Sequence, residues 1–111
     1  MKNDKIYLVH IMECIQSIET YIELGEVEFF KSKLIQDAVI RNLEVIGEAT
    51  KKISPELKHR EHDIPWIEMA GLRDVLIHDY FGVDLDIVWN VVKQELPRIY
   101  NQIENLLKEI G

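Results

Sequence analysis

Apolar residues recur along this chain at the spacing of helix faces, not of strands. Between Asp4 and Leu24, Ile6, Val9, Ile15, Ile18 and Ile22 mark one face and predict a first helix, with Gly25 as its stop. A second helix is predicted from about Phe29 to Ile53, carrying Leu34, Ile35, Ala38, Val39, Leu43, Ile46, Ala49 and Ile53. On a wheel of about 100° per residue these cover roughly half the circumference, so that helix should pack against more than one neighbour. Ser54 to Asp63 (SPELKHREHD) is polar and reads as a connection. Pro65 suits the first turn of a third helix that closes at Gly82, soon after Tyr80. Asp84 is a fitting N-cap for a fourth, with Ile87, Val88, Val91, Leu96, Ile99, Ile103 and Leu106 on its apolar side and a kink at Pro97. Strand-like alternation, internal repeats and low-complexity tracts are absent. The pattern predicts an all-α fold, a four-helix up-and-down bundle forming one domain over residues 1–111.

With 111 residues, 47% of them apolar, the chain can bury roughly two thirds of its unfolded surface as one domain and has no room for a second. Thirteen basic against twenty acidic residues leave a net charge of -7, and no Lys/Arg cluster stands out as a docking stripe. Tight sequence-independent binding to long nucleic acid, and DNA-specific binding, are therefore not expected, because that affinity comes from neutralising phosphates. A compact site that handles one phosphate with one arginine is less affected. Cys14 is the only cysteine, which leaves no internal disulfide and points to an intracellular location. The opening MKNDKIYLVHIMECIQ breaks its apolar residues with Asn3, Asp4, His10 and Glu13 and suits neither a signal peptide nor a membrane span. A cytoplasmic protein without membrane contact is expected.

Distinctive chemistry is concentrated in Arg73 to Tyr80. With Arg73 at zero on the third helix, Trp66, Met69, Ile77 and Tyr80 fall within about 40°, and Ala70 and Leu76 lie slightly further round. The arginine thus sits amid the apolar face, where an unpaired guanidinium would cost several kcal/mol. It needs an acidic or hydrogen-bonding partner, or a cleft where a ligand anion supplies one. Tyr80 is two turns along and about 20° round, whereas His78 points about 140° away on an ideal helix. Asp74, four residues before His78, can hydrogen-bond to that imidazole, fixing its tautomer and raising its basicity for proton transfer. For Arg73 and His78 to serve one phosphate, the helix must end or distort near His78, or two subunits must combine residues across an interface. A structural role for the trio stays equally open on these residues alone.

At these positions the chain resembles the HEPN superfamily, specifically its HepT-like branch, the toxin half of a toxin and nucleotidyltransferase antitoxin pair. The branch's R-x4-H-x-Y motif appears complete as Arg73-Asp-Val-Leu-Ile-His78-Asp-Tyr80. The likeness extends to DAVIRNLEVIGEA (Asp37 to Ala49), the flanks GLRDVLIHDYFGVD and the downstream VW and LP, in the family's order. Asp74 stands where the branch often has Asn, which changes the local charge. The resemblance implies a HEPN-type bundle and a metal-independent endoribonuclease that needs no cofactor. It also implies a homodimer whose two motifs meet in a cleft, with transfer RNA as substrate class, in a type VII-like toxin–antitoxin system. Arg73 and His78 would be catalytic: Arg73 would hold the scissile phosphate, and His78 would move the proton of the attacking 2′-hydroxyl or the leaving oxygen. Asp74 would orient the site. Tyr80 would be the residue that the cognate nucleotidyltransferase modifies with AMP, placing a bulky anion beside Arg73.

Other polar positions carry less. Asp37, Arg41, Glu44 and Glu48 form one line on the second helix, read as a solvated face of intrahelical ion pairs. Asn42 falls inside the apolar arc and needs partners; it would brace Arg73 or Tyr80, or set the register of the bundle. Glu56 and His59 have the E-x-x-H spacing of di-iron bundles, which require two such pairs, so surface residues are the better reading. His10 and Cys14, four apart, would make an incomplete zinc site, and no metal is expected. No phosphate loop or nucleophile elbow occurs. Beside the ribonuclease stands one alternative from another class, a non-catalytic dimeric module that docks a nucleotidyltransferase and presents Tyr80.

Overall fold

The periodicity of the first segment yields α1, Asp4–Tyr21, but on a different face from the one the isoleucines suggest. Leu8, Ile11, Met12, Cys14, Ile15 and Ile18 are buried, whereas Ile6 is 66% exposed and Val9 is at the surface. Those two lie roughly 150° from the middle of the buried face, too far round to join it. This is a computed structural model; it describes residues 3–72, 74 and 84–111, and every regular element among them is helical.

Gly25 ends the turn after α1 in the left-handed region (φ 96), its amide donating to the Ile22 carbonyl at 2.9 Å. The predicted second helix is two. A short α2, Glu26–Lys31, stops at Ser32, whose extended backbone and side chain begin α3, Lys33–Lys51. Ser32 Oγ accepts from the Ile35 amide at 3.2 Å, while Gln36 Nε2 donates to the carbonyls of Phe29 (2.9 Å) and Phe30 (3.3 Å). Both ends of the break are therefore satisfied, and apolar spacing alone carries no mark of it.

The polar connection also folds. Ser54 caps α4, Pro55–Arg60, by accepting from the Leu57 amide at 3.2 Å, with Pro55 in the first turn. Only Leu57 of this helix is buried, so its polarity reflects solvation and not irregular chain. Ser54 in turn donates through its amide (2.8 Å) and hydroxyl (2.6 Å) to the carboxylate of Asp4, which is 3% exposed. The start of α1 and the start of α4 are pinned together.

The third predicted helix is present as α5, Trp66–Ala70, with Leu72 and Asp74 also helical; its remainder to Tyr80 lies outside the described residues. Asp84 caps α6, Leu85–Asn90, accepting from the amides of Asp86 (3.0 Å) and Ile87 (3.3 Å). A π-helical turn, Val91–Glu95, then leads into α7, Leu96–Ile110. Pro97 lacks an amide hydrogen and would clash in α geometry with the carbonyl four residues earlier, at Lys93. That carbonyl lies in the widened turn, so the expected distortion sits just ahead of the proline.

α3 is the centre of the packing. It lies along α1 and also meets α2 and α5, while α7 covers another side of α1. Leu8, Ile11, Ile15, Leu43, Ile46, Ile103 and Leu106 contribute to one buried cluster. The all-helical class is as expected; among the described residues three long helical stretches are accompanied by the shorter pieces α2, α4 and α5. Among the described residues no helix is long and apolar enough to cross a membrane.

Candidate functional site

The sequence singles out the stretch from residue 73 to residue 80, and both supports of that stretch are built from buried side chains. On the leading side, Trp66 and Met69 of α5 are buried, and α5 packs against α3. Trp66 is oriented by its indole Nε1, which donates to the Glu61 carbonyl at 3.0 Å. On the far side, Asp84 starts α6, and Trp89 of that helix stacks at a tilt on Phe29 of α2, centroids 5.2 Å apart. Phe30 meets Phe29 edge-on at 5.2 Å, and Lys93 Nζ lies 5.7 Å from the Trp89 ring centroid. Residues 70 and 84 are therefore each held by a packed helix.

Of the predicted site residues, Arg73, His78 and Tyr80 lie outside the described residues. Asp74 is helical and exposed. Asn42 is half-buried on α3, where its Nδ2 donates to the Ala38 carbonyl one turn earlier at 2.9 Å. That bond uses one of its two amide donors. The line Asp37, Arg41, Glu44 and Glu48 forms side-chain pairs along α3. Lys33 Nζ is 3.3 Å from Asp37, Arg41 is 3.9 Å from Glu44, and Lys51 is 4.0 Å from Glu48. Glu48 makes a further interaction besides.

Charge near the stretch is acidic. Asp74, Asp84, Asp86 and Glu68 are all exposed, although Asp84 is engaged in capping α6. A groove of about 250 Å³ opens between α5 and the π-helical turn, with Met69, Leu72, Leu96 and Ile99 on its walls and Glu68 and Glu95 at its edges. Glu95 pairs with Arg98. Single π turns inserted in helices are frequent at functional sites, and this one adjoins Leu72, the residue before Arg73.

The remaining candidates separate. His10 is exposed, whereas Cys14, one turn along α1, is buried, its thiol pushed up by burial and by Glu13. Glu56 and His59 are both exposed on α4. Among the described residues no three His, Cys, Asp or Glu side chains converge as metal ligands. What sequence reasoning missed is a cleft beside α4, because the segment that forms it reads as a plain connection; the Ser54-Pro55 start of a helix is the signal that could have revealed it.

Comparison with known proteins agrees with the motif. Over 110 residues the chain is 47% identical to a "gamma-glutamylcyclotransferase and putative RNase" of Methanocaldococcus jannaschii, covering 98% of this chain but only 50% of that protein. It is 44% identical over 108 residues to a "probable ribonuclease HepT" of Thermococcus cleftensis, covering 96% of this chain and 98% of the other. A "putative RNase" of Caldanaerobacter subterraneus subsp. tengcongensis is 38% identical over 110 residues, 98% of either chain. No solved structure matches. The family "Ribonuclease HepT-like" matches residues 11–106, nearly the whole chain and all of the Arg73 to Tyr80 motif, and the chain accordingly belongs to the HepT-like ribonucleases, a family of endoribonucleases.

Proposed function

We propose that the chain, as a single domain and a homodimer in the cytoplasm, cleaves RNA without a metal ion, using Arg73 and His78. The observation that carries this reading is the complete R-x4-H-x-Y motif within a family match spanning residues 11–106. The names of the relatives, each a ribonuclease by its printed description, support it.

The chemistry suits the residue types. An imidazole at His78 can accept the 2′-hydroxyl proton, or give a proton to the departing 5′-oxygen, as the 2′-oxygen bonds to phosphorus and the P–O5′ bond breaks. The products are a 2′,3′-cyclic phosphate and a 5′-hydroxyl. A guanidinium at Arg73 stabilises the charge that develops on the phosphoryl oxygens, with donors fixed in a planar fork. Asp74, four residues before His78 in the sequence, orients its imidazole, and Asn42 of α3 is a supporting side chain. Transfer RNA is the substrate class.

In the same proposal a cognate nucleotidyltransferase antitoxin transfers AMP from ATP to the Tyr80 hydroxyl, releasing pyrophosphate. The added phosphate competes for Arg73 and the nucleotide bulk blocks RNA. One observation favours a second reading, a non-catalytic dimeric module that only docks the nucleotidyltransferase. The flanks of the motif carry exposed Asp74, Asp84 and Asp86 in a chain of net charge -7.

Cleavage of total and transfer RNA by the purified protein, with chelator present, separates the two. Activity lost in both Arg73→Ala and His78→Ala, with folding intact, supports the ribonuclease. A folded wild type that cuts nothing at high concentration leaves the docking module. Light scattering tests the dimer, and the gain of one AMP on Tyr80, read by mass spectrometry and abolished in Tyr80→Phe, tests the modification.

A further inference from the structure

An RNA-cutting protein with more acidic than basic residues must attract phosphates through local charge, so the cations that remain unneutralised decide where RNA can lie. Lys33, Arg41, Lys51, Arg60 and Arg98 each pair with a carboxylate. Lys5 donates to the Gly111 carbonyl at 3.0 Å, and Lys93 lies over Trp89. Lys31, Lys52, Lys58 and Lys108 have no carboxylate partner among the described residues, and of these Lys58 lines a cleft of about 710 Å³ between α4 and α5.

That cleft joins charge to apolar surface. His59 and His62, both exposed, stand with Lys58 on one side, and Ile64, Pro65 and Ile67 supply an apolar side. Ile67, 85% exposed, offers its side chain at the edge of the cleft. The carboxylates present are Glu68 and Asp63, the latter 3.3 Å from His62 Nδ1. The turn is braced from behind. The Trp66 indole is tied to Glu61, the Trp66 amide donates to the Ile64 carbonyl at 2.8 Å, and Gln102 Nε2 of α7 donates to the Asp63 carbonyl at 3.1 Å. Arg60 reaches Glu109 at 3.5 Å, anchoring α4 to the end of α7.

We propose that this cleft is an accessory RNA site that takes an unstacked nucleotide of a single-stranded stretch of the substrate. It rests on the ribonuclease reading above. Lys58 and an imidazole N–H meet the phosphate, while the base lies against the imidazole rings and the Ile64, Pro65 and Ile67 surface. Such a site is sequence-tolerant, since every base has a face to stack and every nucleotide a phosphate. α5, one wall of the cleft, ends at Ala70, three residues before Arg73, so a strand held here is delivered toward the motif.

The test uses the full chain carrying His78→Ala, which keeps the RNA intact, and a fluorescent single-stranded RNA of about twenty nucleotides. Anisotropy titrations at several salt concentrations compare it with the same chain bearing Lys58→Ala, His59→Ala and His62→Ala, each fold checked by circular dichroism. The expected result is a dissociation constant raised about tenfold or more, with the slope of log K against log salt reduced by about 0.7 for each phosphate no longer neutralised. The single charge reversal Lys58→Glu should weaken binding in the same direction. In chains with His78 intact, the triple variant should raise KM for long RNA while leaving turnover of a dinucleotide unchanged. Unchanged affinity and slope in a folded triple variant overturns the cleft, including the case where those substitutions abolish binding of a nucleotidyltransferase instead. Wild-type protein that cuts RNA beside such an unaffected variant leaves the ribonuclease standing without the cleft. RNA that binds through the cleft to a wild type that never cuts supports the cleft and removes the ribonuclease.

Discussion

Asp4→Ala should destabilise the protein by about 2–3 kcal/mol. The carboxylate is 3% exposed and accepts from Ser54 twice, from the amide at 2.8 Å and from the hydroxyl at 2.6 Å. Hydrogen bonds to a charged group contribute about 1.5–3 kcal/mol each, and removing the acceptor leaves two donors in a place with little water. Relief of the carboxylate's desolvation offsets part of that sum, which brings the net down to the lower figure. Asp4→Asn keeps one acceptor and loses the charge, so about 1 kcal/mol is expected. Ser54→Ala removes one bond to Asp4 together with the cap on the Leu57 amide, for about 1–2 kcal/mol. Because the two residues share a bond, the double variant should fall short of the sum by roughly 1 kcal/mol. Urea unfolding followed by far-ultraviolet circular dichroism measures all four proteins. A loss below about 0.5 kcal/mol for Asp4→Ala, or strict additivity in the double variant, would refute the pin between α1 and α4.

Phe29 is fully buried between Phe30 and Trp89, so Phe29→Ala should cost about 3–5 kcal/mol in the same denaturant assay; a loss near 1 would mean the ring pocket collapses freely. Ser32→Ala removes the cap of α3 and should cost about 1 kcal/mol, whereas an unchanged midpoint would show that the break between α2 and α3 does not depend on it. Burial first, and then Glu13, raise the Cys14 thiol above its ordinary value of 9.0. The unfolded chain therefore releases this proton at lower pH than the folded one, and the folded state holds more protons between the two values. That contribution is fully present below pH 9 and is lost as pH rises through the folded value, so wild type should lose stability above pH 9 more steeply than Cys14→Ala. Equal slopes in thermal melts across that range would sink the assignment, as would rapid reaction of the native thiol with a disulfide reagent.

Helical class, the α1 span, the Asp84 cap and the motif with its family were all legible in the residues. Helix periodicity and capping are local, acting over three or four positions, and a motif is a property of order along the chain. The sequence signal weakens wherever two local solutions have similar energy. Ile6 and Val9 mark a helical face as well as Leu8 and Ile11 do, and only the partners α3 and α7 decide which face is covered. Phe29 to Ile53 reads as one helix because Ser32 is tolerated inside a helix as well as at its start; packing of Phe29 and Phe30 against Trp89 favours the break. The polar run after Ser54 looks structureless because solvated helices lack an apolar stripe, yet capping and the bond to Asp4, fifty residues away, hold it helical. The candidate chemistry at Arg73 and His78 is therefore written in the order of the residues. The placement of α4, and with it the cleft lined by Lys58, arises only when distant segments meet, since a cleft is made of neighbours in space and not in sequence.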